Sequence, residues 1–139
     1  MTIELKRIQP GDELEFADVA PDVFDAPIHP ERLDAYLLEP GHLMILAVED
    51  GTVVGQCAAV IHRHPDKPDE LYIDEVGTAS THLRRGIATR LVEAMFTWGH
   101  ELGCRDAWLG TELDNLEANG LYKKVGGTPQ HMYYYEFEL

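Results

Sequence analysis

Basic residues and long apolar runs are scarce in this 139-residue chain, and each scarcity argues against a class of protein. Only 11 Lys and Arg residues stand against 25 Asp and Glu residues, which gives a formal net charge of −14. Nucleic-acid binding needs a basic face, so this balance argues against it. No apolar run approaches the roughly 18 residues of a membrane-spanning helix, which argues against a membrane protein. An acidic surface of this kind either attracts a cationic partner or only keeps the protein in solution.

Cysteine is scarce as well. Cys57 and Cys104 lie in apolar stretches without metal-ligand spacing, so we expect reduced core thiols rather than a disulfide. His62 and His64 have no third ligand at suitable spacing in the sequence, which therefore predicts no metal site. The N-terminal residues lack the apolar core of a signal peptide, and we expect a cytoplasmic protein. The length fits one domain, residues 1–139.

The most informative stretch runs from Leu71 to Gly103 and indicates a strand, a basic loop and a helix. Its first part, through Thr78, is rich in β-branched and aromatic residues, which favour a strand. Apolar residues then recur every three or four positions, at Ile87, Leu91, Met95, Trp98 and Leu102. Between these segments, Arg84-Arg85-Gly86 places two cations and a glycine at a helix N-terminus, where backbone N–H groups bind anions. We therefore predict that this loop binds a ligand with several anionic oxygens, such as phosphate.

The remaining elements follow from local patterns. The predicted strands are Thr2–Ile8, Leu43–Val48, Thr52–Ile61, a short buried Ala107–Thr111 and a final strand in His131–Leu139; the predicted helices are Asp12–Val19, Pro30–Leu38 and Asn115–Val125. Asp50-Gly51 predicts the turn of a hairpin. The loop Ala20–Pro30 is either the wall or lid of a binding site or a passive connector. Together these elements predict a mixed α/β fold with a mainly antiparallel central sheet flanked by helices.

Two motifs in this arrangement resemble those of the GNAT N-acetyltransferases. Arg84-Arg85-Gly86-Ile87-Ala88 resembles their acetyl-CoA loop, Q/R-x-x-G-x-G/A, and the run from Asn115 to Gly126 resembles their N-x-x-A-x-x-L-Y-x-x-x-G helix. Leu83 stands at the first Q/R position, and Gly127 replaces the usual aromatic residue after the final glycine. The resemblance covers nearly the whole chain and is greatest to small aminoglycoside N-acetyltransferases. It implies a GNAT-like acyl-CoA N-acyltransferase fold and direct transfer of acetyl from acetyl-CoA to a primary amine, without a metal.

The resemblance also implies roles for residues of the two motifs. The cofactor-binding residues would be Val76, Gly77 and Thr78 along the pantetheine arm, Arg84, Arg85, Gly86, Ile87, Ala88 and Thr89 around the pyrophosphate, and Asn115 at the arm or only at its helix cap. The N–H of Val76 would hold the oxyanion. Tyr122 would protonate the leaving thiolate, or only pack.

Glu75 would remove the proton of the amine, directly or through a water chain; otherwise it is a strand carboxylate facing solvent or a salt bridge. Asp74 should point to the opposite face because strand side chains alternate. Glu112 and Asp114 are reserve candidates for the base or for binding a cationic substrate. An acidic protein attracts polycations, so we expect an aminoglycoside- or polyamine-like acceptor. A protein or peptide amine acetyltransferase and a non-catalytic acyl-CoA-binding regulatory module stay open. The aromatic residues of the C-terminal segment are compatible with a homodimer.

Overall fold

The computed structural model of the chain describes residues 2–139 and contains one five-stranded sheet. The strands are β1 (Glu4–Arg7), β2 (His42–Glu49), β3 (Thr52–His62), β4 (Glu70–Thr78) and β5 (Asp106–Trp108); the α-helices are α1 (Pro30–Leu38), α2 (Ile87–Glu101) and α3 (Leu116–Lys124). Short 3₁₀ helices lie at Glu13–Phe16 and Ser80–His82. The strand order is β1-β2-β3-β4-β5, antiparallel except for the parallel pair β4–β5. This confirms the predicted mixed α/β fold with a mainly antiparallel sheet. Within the described residues, no helix has the length and apolar character needed to cross a membrane.

Local sequence explains several element boundaries. Pro30 occupies the first turn of α1, and Nδ1 of His29 accepts the backbone N–H of Arg32 at 3.4 Å as the N-cap. Asp50 and Gly51 have φ of +50° and +82°, which suits the two-residue turn that joins β2 to β3. The predicted bounds of α1 are therefore confirmed, and the predicted hairpin forms with each strand slightly longer than expected.

The core lies between the sheet and α2. Leu91, Val92 and Met95 of α2 are fully buried against β3 and β4, and each such side chain contributes about 1.5–3 kcal/mol on burial. Gly99 lies so close to β4 that a Cβ atom there would be 2.8 Å from Cδ2 of Leu71. This close approach sets the position of α2, and hence of its N-terminus near the end of β4. Cys57 and Cys104 are buried and free, as predicted.

Three predicted elements are wrong in extent or in kind. His131–Leu139 forms no strand, and the residues of β5 are exposed rather than buried, with a strand that ends at Trp108 instead of Thr111. A strand pattern becomes a strand only where another edge accepts its backbone hydrogen bonds, and no described residue pairs with the C-terminal segment. The predicted helix Asp12–Val19 is only the 3₁₀ turn Glu13–Phe16.

Candidate active site

A cleft opens where β4 and β5 separate. The two strands pair at only three positions, from Glu70–Asp106 to Tyr72–Trp108. Beyond Tyr72, β4 keeps β3 as its partner on one side, and no strand among residues 2–139 pairs with its other side. This leaves a free backbone edge from Ile73 to Thr78.

A β-bulge lies at the start of this free edge. Ala58 of β3 is opposite Glu75, whereas the next residue, Ala59, is opposite Ile73, so Asp74 is the extra residue. A bulge bends its strand and changes the direction of its side chains. Asp74 and Glu75 consequently line the same cleft, and the prediction that they point to opposite faces is wrong.

The cleft has a volume of about 310 Å³ and brings together residues of β4 and residues of the Asn115–Gly126 motif. Its lining comprises Asp22, Val23 and Asp25 from the loop before α1, the β4 residues 73–77, residues 109–111 after β5, and Asn115, Ala118 and Tyr122 of the α3 region. The predicted residues Glu75, Val76, Gly77, Asn115 and Tyr122 all lie here. Glu112 and Asp114, the alternative bases, are exposed and do not line it.

Four carboxylates line the cleft: Asp22, Asp25, Asp74 and Glu75. No Lys, Arg or His is present among the described residues of its lining, so the local field favours a cation. Partial burial raises the pKa of Glu75, and repulsion from Asp25 and Asp74 raises it further, while the side chain of Gln56 opposes the shift. A carboxyl group with a raised pKa is better matched to proton transfer near neutral pH.

Tyr122 enters the cleft from α3. Burial raises the pKa of its phenol, and Cys57 adds to the effect, so the hydroxyl stays protonated at neutral pH and can donate a proton. α3 is capped at its start by Oδ1 of Asn115, which accepts the N–H of Ala118 at 3.1 Å. After its end, the N–H of Gly127 donates to the carbonyl oxygen of Tyr122 at 2.8 Å. A Cβ atom on residue 127 would lie 2.8 Å from that oxygen, which explains a glycine at this position.

The loop before α1 forms one wall of the cleft, and sequence reasoning named none of its residues individually. Nε2 of the fully buried Gln56 donates to the carbonyl oxygen of Val23 at 3.3 Å. That oxygen lies so close to β4 that a Cβ atom on Gly77 would be 2.2 Å away. The signal available in the sequence was the pair Asp22 and Asp25 in a proline-containing loop, a pattern without a motif.

The basic loop does not line the cleft. Gly86 caps α2 with φ of +77°, a conformation that favours glycine. The Arg85 guanidinium pairs with Glu49 at 3.0 Å, and Nε2 of His82 lies 2.9 Å from the same carboxylate. His82 and, to a smaller extent, Arg85 hold the pKa of Glu49 below its usual value. Arg85 therefore already has a carboxylate partner.

Backbone N–H groups in the first turn of α2 have no partner within the helix and point toward an anion placed at its N-terminus. The expected contacts of Arg84, Arg85, Gly86, Ile87, Ala88 and Thr89 with a pyrophosphate stay predictions, as do those of Val76, Gly77, Thr78 and Asn115 with a pantetheine arm.

A covalent route through Cys57 is disfavoured, because burial raises the pKa of its thiol to about 12.

The model of the acetyltransferase (GNAT) family matches residues 12–127, and the chain belongs to this family. It is an N-acetyltransferase. Aminoglycoside N(6')-acetyltransferase type 1 of Salmonella typhimurium is 28% identical to it over 112 residues, which are 72% of this chain and 75% of the relative.

Two solved structures share the fold. An aminoglycoside acetyltransferase, meta-AAC0020, from an uncultured soil metagenomic sample, in complex with sisomicin, superposes with a TM-score of 0.84 at 15% identity over 99% of this chain and 96% of that one. AAC(6')-Iy in complex with the bisubstrate analogue CoA-S-monomethyl-acetylneamine superposes with a TM-score of 0.80 at 17% identity over 100% of both chains. At these identities the likeness concerns the fold.

Proposed function

We propose that the protein transfers the acetyl group of acetyl-CoA directly to a primary amine of a small cationic substrate, aminoglycoside- or polyamine-like. The observation that carries the proposal is the set of four carboxylates that line the cleft beside the free edge of β4. A polyamine or aminoglycoside carries several positive charges, and each carboxylate lowers the energy of a nearby ammonium group. The relatives named as aminoglycoside acetyltransferases support this acceptor class.

Acetyl-CoA would bind along two features of the backbone. Its pantetheine amides would extend the sheet along the free edge of Val76–Thr78, in the manner of an added strand. Its pyrophosphate would lie at the N-terminus of α2, after Gly86. The N–H of Val76 would hold the oxyanion that forms on the thioester carbonyl.

Proton transfer would involve Glu75 and Tyr122. The amine nitrogen attacks the thioester carbon, and its proton passes to the Glu75 carboxylate directly or through water. The carbon–sulfur bond then breaks, and the Tyr122 hydroxyl gives its proton to the leaving sulfur. The raised pKa of Glu75 suits a base that works near neutral pH.

Calorimetric titration with acetyl-CoA tests the cofactor half of the proposal. Gly86→Val should abolish binding, because a branched residue is strained at φ of +77° and disturbs the N-terminus of α2. Gly103→Val is a matched control at the other end of α2, since Gly103 has φ of +97° and a Cβ atom at either glycine meets nothing within 4 Å. This control should be similarly strained and still bind acetyl-CoA. Absence of binding by the unaltered protein would refute the proposal.

Steady-state kinetics with a panel of amines tests the acceptor half. Asp25→Asn should raise KM for spermidine or an aminoglycoside without changing KM for acetyl-CoA. Asp34→Asn, an exposed carboxylate of α1 outside the cleft, removes the same charge and should change neither. Preference for a lysine-containing peptide would favour a protein acetyltransferase instead. Binding of acetyl-CoA without turnover of any amine would favour a regulatory module.

The proposal includes a homodimer formed through the C-terminal segment, His131–Leu139. Its large apolar side chains are 74–88% exposed at Met132, Tyr133, Tyr134, Tyr135 and Phe137. Four aromatic residues bury about 600–1,000 Å² when covered, so two copies reach the roughly 1,200–2,000 Å² of a specific interface. β5, at the sheet edge, is exposed in each copy and offers the strand partner that the segment lacks within its own chain.

Light scattering after size-exclusion chromatography tests this assembly. The unaltered chain should be a dimer, and the combined change Tyr133→Ser, Tyr135→Ser and Phe137→Ser should give a monomer. The pair Leu14→Ser and Leu38→Ser removes exposed apolar residues elsewhere and should leave the dimer intact. A monomeric unaltered chain, or a dimeric triple variant, would contradict the assembly.

Compartment and domain organisation complete the proposal. The buried, free thiols of Cys57 and Cys104 fit a reducing compartment, which supports a cytoplasmic location. The continuous family match over residues 12–127 supports one acetyltransferase domain.

A further inference from the structure

Two histidines and a glutamate meet at the turn between β3 and β4. His62 ends β3, His64 follows two residues later, and Glu70 begins β4 directly opposite His62. One ligand atom from each of these side chains lies within 4.8 Å of the other two. The two imidazole rings have centroids 4.3 Å apart, and Nε2 of His64 hydrogen-bonds Oε1 of Glu70.

The strand geometry accounts for this convergence. β3 ends at His62, and His64 lies two residues further on in the turn, with its ring beside that of His62. Side chains directly opposite on antiparallel strands have Cβ atoms about 4.5–5.5 Å apart, which brings Glu70 next to His62. The third ligand is therefore supplied by strand pairing, and the spacing of the histidines along the chain does not reveal it.

Two imidazoles and one carboxylate are a ligand set for Zn²⁺ that leaves one position for water. Zinc bonds of about 2.0–2.1 Å in a tetrahedron place ligand atoms roughly 3.4 Å apart. The widest separation, up to 4.8 Å, therefore has to close by at most about 1.4 Å, while the hydrogen-bonded atoms of His64 and Glu70 have to move apart to admit the ion. Side-chain rotation supplies a movement of that size without a change in the backbone. The side chain of His64 is only 13% exposed, so this ligand is already held in place.

The charges around the cluster permit a cation. Arg63 pairs with Asp69 at 2.7 Å, and Lys67 lies 3.7 Å from Asp66, so each basic residue of the turn has a carboxylate beside it. Residues 62–70 contain three acidic and two basic side chains, a formal charge of −1 with neutral histidines. The net charge of the turn therefore does not repel a bound cation.

We propose that His62, His64 and Glu70 bind one Zn²⁺ ion, with water as the fourth ligand. The ion links the end of β3 to the start of β4 and stabilises the turn of residues 63–69. Val76 lies six positions after Glu70 on β4, a distance of about 20 Å along an extended strand. The ion therefore acts on stability and takes no part in acetyl transfer.

Titration of the chelator-treated protein with ZnCl₂, followed by calorimetry, tests this site. We expect one ion per chain and a higher temperature of unfolding when zinc is bound. His62→Ala and Glu70→Gln should each weaken zinc binding at least about tenfold. Loss of a residue that only hydrogen-bonds a metal ligand already weakens metal binding by about 10–100-fold, so loss of a ligand itself should cost no less. His100→Ala removes an exposed histidine of α2 outside the cluster and should bind zinc as the unaltered protein does.

Substitution of Co²⁺ for Zn²⁺ gives a second readout, because a four-coordinate cobalt ion has characteristic visible absorption bands. These bands should appear with the unaltered protein and be lost in Glu70→Gln, a variant that keeps the shape of the side chain. The proposal is refuted if the unaltered protein binds no zinc, or if His100→Ala weakens binding as much as His62→Ala. Loss of acetyl transfer on chelation would also contradict it.

Discussion

Replacement of Gly77 by alanine tests how closely the loop before α1 packs against β4. The new Cβ atom would lie 2.2 Å from the carbonyl oxygen of Val23 and 3.2 Å from its carbonyl carbon. Contacts of this kind are essentially never shorter than 3.0 Å, so the loop has to retreat by about 0.8 Å. Val23 is only 1% exposed, and its movement therefore disturbs the core as well as the wall of the cleft.

The expected destabilisation has two parts. Overpacking in a well-packed site costs about 1–3 kcal/mol. Retreat of Val23 also breaks its hydrogen bond with Nε2 of Gln56, which contributes about 0.5–1.5 kcal/mol. We therefore expect the free energy of unfolding to fall by about 2–4 kcal/mol, which for a chain of this length lowers Tm by roughly 6–16 °C.

Urea and thermal unfolding followed by circular dichroism measure the effect. Gly110→Ala is the matched control, because Gly110 lines the same cleft, its φ lies outside the left-handed region, and a Cβ atom there meets nothing within 4 Å. We expect this variant to keep the stability of the unaltered protein within about 0.5 kcal/mol. If Gly77→Ala is as stable as the unaltered protein, or if both variants lose the same free energy, the loop before α1 does not pack this closely against β4.

Three further predictions concern the proton-transfer residues and α3. Tyr122→Phe should lower kcat by about 10²–10⁴-fold with unchanged affinity for acetyl-CoA in calorimetry; an unchanged kcat would remove its acid role. The pKa of Glu75 is raised in the folded state. The loss of activity on acidification should therefore occur at a higher pH than it would with a carboxyl group of ordinary pKa. By the same sign the free energy of unfolding rises as pH falls through that range. Glu75→Gln should lower kcat, should remove the decline at acidic pH from the activity that remains, and should unfold at a higher temperature at neutral pH. Gly120 lies in α3, and a Cβ atom there meets nothing within 4 Å. Gly120→Ala should therefore raise the free energy of unfolding in urea by about 0.5–1 kcal/mol; a lower free energy of unfolding would mean that other groups pack against this face of α3.

Two segments singled out from the sequence contribute to the cleft, the strand before the basic loop and the Asn115–Gly126 motif. Val76 and Tyr122 come from segments more than forty residues apart, and both line the cleft, while their roles stay predictions. Asp22 and Asp25 were not predictable as site residues, since only the contact of their loop with Gly77 and Gln56 brings them to β4. The role of Glu70 beside the two histidines likewise depends on the pairing of β3 with β4.

Features that depend on neighbours within about one turn of chain were predictable from the sequence alone. The proline at the start of α1, the Asp50-Gly51 turn and the apolar spacing of α2 all act over this range, and the structure has these elements where they were expected. The bulge at Asp74, the separation of β5 from β4, and the absence of a strand in the C-terminal segment arise from tertiary contacts. These features depend on which strand edges pair with each other, because a strand acquires its register and its hydrogen bonds from a partner distant in sequence.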